Sequence, residues 1–265
     1  MSKRANRYVQ IIERIFFNHY RKGNEEVPFE RDEIVSIAES LKIKLPKNLG
    51  DIIYTFRYRA SLPESIREKA PEGKWWIIRP AGRSRYSFVA TLPIEIVPNP
   101  AIAETKIPDA TPGIIELYAL SDEQALLAKV RYNRIIDIIT GITCYSLQAH
   151  LRTHVNGMGQ VETDEIYVGI DRKGIHYVLP VQAKGGNDRM NIVQIEQDFA
   201  LCAEKFPKLV CLSICAQFMA NDVIAIFMFE NGKTGPALIA ESHYRLVPSS
   251  DISPEDLEIY RSRLP

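Results

Sequence analysis

Residues 92–113 (LPIEIVPNPAIAETKIPDATPG) carry prolines at Pro93, Pro98, Pro100, Pro108 and Pro112, and this segment constrains the fold more than any other. Each proline fixes φ and removes a backbone donor, so neither a helix nor a central strand can run through. The spacing predicts a stiff, extended linker over 92–113, with one domain at 1–91 and a second at 114–265. The chain is 46% hydrophobic and 25% charged, the balance of a soluble globular protein with enough apolar material for sizeable cores. No apolar run approaches the roughly 18 residues of a membrane span, and MSKRANRYVQ has no cleavable-leader pattern behind it. Cys144, Cys202, Cys211 and Cys215 form no C-x-x-C pair and sit in apolar stretches. Reduced, buried thiols and a cytoplasmic location, with no membrane partner, are the expectation.

A formal net charge of zero conceals an uneven distribution. Residues 1–100 hold 18 Lys and Arg against 12 Asp and Glu, while the remaining 165 hold 15 against 21. A basic front and an acidic back suit a nucleic-acid-contacting module joined to a cation-binding one. In the first part, apolar residues at helical spacing predict helices over 5–21, 29–42 and 48–59. KWWIIRP and RYSFVAT, separated by AGRS, predict a β-hairpin. Three helices followed by a hairpin is the order of a winged helix-turn-helix. In that arrangement Arg57 and Arg59 end the third helix and Arg83 and Arg85 tip the wing, where each can contact DNA phosphate or guanine edges. Adjacent on a strand, Trp75 and Trp76 must face opposite sides.

In the second part, a helix is expected from Ser121, through a capping box with Gln124, to Gly141. A further helix is expected over 144–155. VETDEIYVGI and GIHYVLPVQAK around DRKG then read as a β-hairpin. A helix over 191–206 follows, then LVCLSICAQF as a strand buried on both faces, then DVIAIFMFE as another. This order predicts an α/β fold, a mixed sheet core flanked by helices, with one crossover long enough for parallel pairing.

The chemistry falls on the hairpin. Gln182 and Lys184 lie two apart and share a strand face, and pairing around DRKG brings Asp164 beside Gln182. A carboxylate and an amide oxygen can hold a hard cation that keeps several waters, as Mg²⁺ does. The lysine can orient water and offset transition-state charge. Glu165 or Glu162 could supply a further carboxylate. Gln148, His150 and Arg152 are candidates to reach the site, and Arg131 and Arg134 to touch DNA or a partner subunit.

Asp164, followed by Gln182-Ala183-Lys184 in this element order, resembles the PD-(D/E)XK nuclease superfamily over about residues 121–230. Two departures stand out: Thr163 replaces the usual proline, and Gln182 replaces the usual acid. The resemblance implies a restriction-endonuclease-like core and a type II restriction-like endonuclease acting on double-stranded DNA. Asp164, Gln182 and Lys184 would be catalytic, and Asp164, Gln182 and Glu165 would hold Mg²⁺. It also implies a homodimer, because both strands must be cut, and a cognate DNA methyltransferase as functional partner. A modification-dependent or repair nuclease, and a non-catalytic winged-helix regulator, are the alternatives.

Overall fold

The computed structural model describes residues 3–92, 96–119, 122–185, 190–233 and 235–263. The chain divides into two compact units, residues 1–95 with 154–160, and residues 96–153 with 161–265.

The first unit runs α1 (Lys3–His19), β1 (Glu26–Glu30), α2 (Glu33–Ser40), α3 (Gly50–Tyr54), a π-helical turn (Thr55–Arg59), α4 (Glu64–Arg67), β2 (Trp75–Pro80) and β3 (Arg85–Thr91). Its sheet has the order β1-β3-β2, with both pairings antiparallel. The helical periodicity of α1 buries Ile11, Ile12, Ile15 and Phe16 completely. Phe16 meets Trp76 and Phe88 edge-on, with centroids 5.2 and 5.1 Å apart, which knits the helix to the hairpin. Strand alternation separates the tryptophans: Trp76 is 4% exposed and Trp75 50%. Strand β1 was not expected. Its sequence EVPFE is short and contains a proline, which an edge strand tolerates, and Val27 and Phe29 bury against the core.

The second unit comprises β4 (Glu104–Pro108), α5 (Gly113–Tyr118), α6 (Asp122–Tyr132), α7 (Ile135–Thr140), β5 (Thr143–Val155), β6 (Gly159–Ile170), β7 (His176–Lys184), α8 (Ile192–Lys205), β8 (Val210–Cys211), β9 (Ser213–Phe218), β10 (Val223–Gly232), β11 (Gly235–Val247) and α9 (Pro254–Arg261), the ends of β5 and β6 at 154–160 falling in the first unit. Its eight-stranded sheet has the order β4-β11-β10-β9-β7-β6-β5, with β8 also beside β7. Helix α8 carries the crossover that makes β7 and β9 parallel, whereas β6–β7, β9–β10 and β10–β11 are antiparallel. The fold is therefore α/β, a mixed multi-strand sheet flanked by helices. Val181, Ala183, Ile214 and Ala216 pack with Leu126, Leu127 and Val130 of α6. Gln182, between Val181 and Ala183, and Ser213, before Ile214, bond to Asp198 of α8 on the other face, as strand alternation requires.

Three expectations are corrected. The segment 92–113 is not wholly a connector: Glu104–Pro108 is β4, parallel to β11 at the sheet edge, where a proline costs no ladder bond. Residues 144–155 form a strand rather than a helix. The helix expected over 121–141 breaks at Asn133-Arg134, and Arg134 adopts φ +50°. There the Asn133 side chain accepts from the Ala110 N–H at 2.7 Å and donates to Thr111 Oγ1 and Lys129 O, each at 2.9 Å. Gly141 ends α7 in the left-handed conformation that glycine adopts without strain. The Ser121 capping box lies outside the described residues.

Candidate active site

Strand β7 is interior to the sheet, and it is buried from Val178 to Ala183, Gln182 included, until the chain leaves at Lys184. The lysine is consequently shielded, with its side chain only 17% exposed, and its Nζ lies 3.5 Å from Glu123 Oε1 in the first turns of α6. Asp164 comes in from β6, beyond the last regular pair of the hairpin, Glu165 with Val181. Its Oδ2 accepts a hydrogen bond from the Ala183 N–H at 2.8 Å, between Gln182 and Lys184. Burial raises the Asp164 pKa above the usual carboxylate range. The Ala183 N–H and the Lys184 charge oppose that rise, Glu123 adds to it, and His150 opposes it. Asp164, Lys184 and Glu123 thus act on one another at the strand end, and His150 of β5, whose charge also acts on Asp164, is held at φ +48°. A left-handed non-glycine residue is uncommon, and such conformations concentrate at functional sites.

Gln182 shares its β7 strand with Lys184, two residues on, and has partners that the sequence did not suggest. It is 2% exposed, and its amide is engaged on the α8 side. Nε2 donates to Asp198 Oδ1 at 2.9 Å and to the Glu162 carbonyl at 3.2 Å, while Oε1 accepts from Gln194 Nε2 at 3.4 Å. Asp198 is itself fully buried, and Ser213 Oγ donates to its Oδ2 at 2.9 Å. Burial pushes its carboxyl up to about 7, against the bonds from Gln182 and Ser213.

Glu165 is not part of this cluster. It points to the α6 face, fully buried, where Arg131 Nε and Nη2 each donate to Oε1 at 2.9 Å and Ser146 donates to the same oxygen. Glu162 pairs with Arg152 across β5 and β6 at 2.8 Å. Glu123 and Asp198 were missed in the sequence. Glu123 gave no signal, because its partner lies 61 residues away. Asp198 was legible: it sits with Ile195, Phe199 and Cys202 on the apolar face of α8, where an isolated charge needs a reason.

In the first unit, Arg83 and Arg85 are exposed at the β2–β3 turn and line a cleft with Glu30 and Asp32, so the local charge is mixed. Arg57 is half-buried in the π-helical turn, and the Arg59 side chain lies outside the described residues. Among the described residues, no three His, Cys, Asp or Glu side chains are grouped to hold a metal ion, and no helix is long and apolar enough to cross a membrane. Comparison with protein-family models, curated proteins and solved structures finds no match.

Proposed function

We propose that the second unit is a magnesium-assisted, restriction-like endonuclease of the PD-(D/E)XK type, hydrolysing phosphodiester bonds in double-stranded DNA. The first unit is read as a winged helix-turn-helix-like DNA contact. One observation carries the proposal: shielded Lys184 lies beside Glu123 and acts on the Asp164 carboxyl, at the end of an interior strand next to the parallel crossover.

The donor chemistry fits a hard cation. Asp164 and Glu123 are two carboxylates whose mutual repulsion is felt at a half-buried position, and a divalent ion relieves it. Two carboxylates leave most positions to water, the preference of Mg²⁺, and cannot close a structural zinc site. When bound, the ion supplies Lewis acidity toward water and the phosphoryl oxygens. Asp164 and Glu123 would hold it, and Glu165, expected as a ligand, is excluded by its burial against Arg131. Lys184 offsets the charge that builds on the phosphate. Gln182 is a positioning residue: with Asp198 and Gln194 it fixes the strand end on which Ala183 orients Asp164. Two sites are needed to cut both strands, so the reading includes a homodimer on DNA, and a methyltransferase that protects the same sequence.

The test incubates methylated and unmethylated plasmid with Mg²⁺ and either wild type, Lys184→Ala or Glu123→Gln. Discrete fragments from wild type, with a loss of about 100-fold or more in Lys184→Ala, are expected. Cutting of methylated plasmid alone would make the enzyme modification-dependent. Intact DNA throughout would overturn the nuclease reading and leave a DNA-binding regulator.

A further inference from the structure

We infer that the outer edge of β5 is a self-association surface, on which a second copy of this chain pairs its own β5 antiparallel about a two-fold axis. The homodimer proposed above rests on the need to cut both strands of DNA. This surface is argued from the strand alone and stands without the nuclease reading.

Strand β5 ends the order of the eight-stranded sheet, and among the described residues no strand pairs on its outer side. A free edge is a template for another strand, and native chains blunt it with charge, proline, a bulge or a covering segment. The opposite edge is treated in that way. At β4 the Lys106 N–H donates to Tyr260 Oη of α9 at 2.8 Å, Lys106 Nζ pairs with Asp256 at 2.8 Å, and Arg263 Nη1 donates to Thr105 Oγ1 at 2.9 Å. The second half of β5 is guarded as well, by the left-handed backbone of His150 and the charge of Arg152. The first half, 143–149 (TCYSLQA), carries no charge and no proline, and it is exposed from Tyr145 to Ala149. Its two large side chains in that stretch, Tyr145 and Leu147, are 61% and 52% exposed.

Symmetry selects both the occupant and the register. Pairing centred on Ser146 matches Thr143 with the partner's Ala149, Cys144 with the partner's Gln148 and Tyr145 with the partner's Leu147. This register uses the whole regular stretch and leaves His150 outside the ladder. Ser146 donates to Glu165 on the α6 face, so alternation puts Tyr145 and Leu147 together on the other face. Each Tyr145 then covers a Leu147 across the two-fold axis, and such cross-strand contacts are the unit by which paired strands stabilise one another. An uncharged stretch laid against itself also sets no like charges opposite each other. Seven residues span about 23 Å. A ladder of that length is smaller than the roughly 1,600 Å² of a standard interface, so the dimer is expected to dissociate in the micromolar range. Because both copies spend the same edge, assembly closes at two.

The test sediments the full chain over a range of concentrations in EDTA, free and with a duplex, as wild type, Tyr145→Lys/Leu147→Lys and Ser146→Cys. Wild type is expected to show a reversible monomer–dimer equilibrium. The double lysine variant sets like charges opposite each other at both pairs. It should dimerise at least about tenfold more weakly with an unchanged melting temperature, because both side chains are exposed. Ser146→Cys, on the two-fold axis, should be linked into a dimer by a short bifunctional thiol reagent, whereas wild type treated alike is not. A dimer undiminished by the lysines, no link at Ser146→Cys, a monomer at every concentration, assemblies that grow beyond two, or a monomer carrying a foreign strand would each overturn the proposal. Plasmid cutting is scored separately. A dimer that never cuts DNA overturns the nuclease reading alone, and cutting by a strictly monomeric chain overturns the dimer alone.

Discussion

At the scale of single residues, Asp198 sets a measurable pH dependence. A carboxyl held at about 7 in the folded chain, against an ordinary value near 3.9 when unfolded, favours folding in its protonated form. Below about pH 4 both states are protonated and the contribution is complete. Between about pH 4 and 7 the unfolded chain loses the proton first, so stability falls as pH rises, by on the order of 4 kcal/mol in all. Urea unfolding of wild type and Asp198→Asn across this range should show the falling slope in wild type alone. Parallel slopes would mean that Asp198 is already ionised within the fold. The same residue limits the alternatives at Gln182. A Gln182→Glu change would set an acid beside a buried carboxyl that the Gln182 amide now meets at 2.9 Å, where two like charges cannot both be ionised.

At the scale of elements, β5 shows why part of the fold escaped the sequence. In CYSLQAHLRTHV, Cys144, Leu147, Leu151 and Val155 recur at three and four residues, a helical spacing. As a strand, its middle is largely exposed on both faces, with Cys144 and Val155 buried near the ends. An edge strand with no covered face has no alternation to display, and pairing with β6 overrides the local pattern. The constraint between these elements is tight at Gly169. A Cβ there would come within 2.6 Å of Ile142 Cγ2 and 2.9 Å of the Thr143 carbonyl. Gly169→Ala should therefore destabilise by about 1–3 kcal/mol, read from the urea midpoint. An unchanged midpoint would show that β5 can move away from β6.

At the scale of the whole molecule, the excess of basic residues in the first 100 positions is expected to serve DNA binding through the β2–β3 turn. Replacing Arg83 and Arg85 with alanine should weaken duplex affinity and flatten the log-affinity against log-salt slope by about 2, one counterion per lost phosphate contact. An unchanged slope would remove the turn from the DNA-contacting surface. By itself the sequence determined the alternation that buries Trp76 and exposes Trp75, the hairpin ending at Lys184, and the α8 crossover, because period and turn chemistry are local properties. It also placed Asp164 and Lys184 close together, since a short turn fixes hairpin register. Only the tertiary structure decided that Glu123 joins them, that Gln182 turns toward Asp198, and that Glu165 faces Arg131 instead. Those outcomes depend on which helix packs over which face of the sheet, a choice made between side chains far apart in the chain.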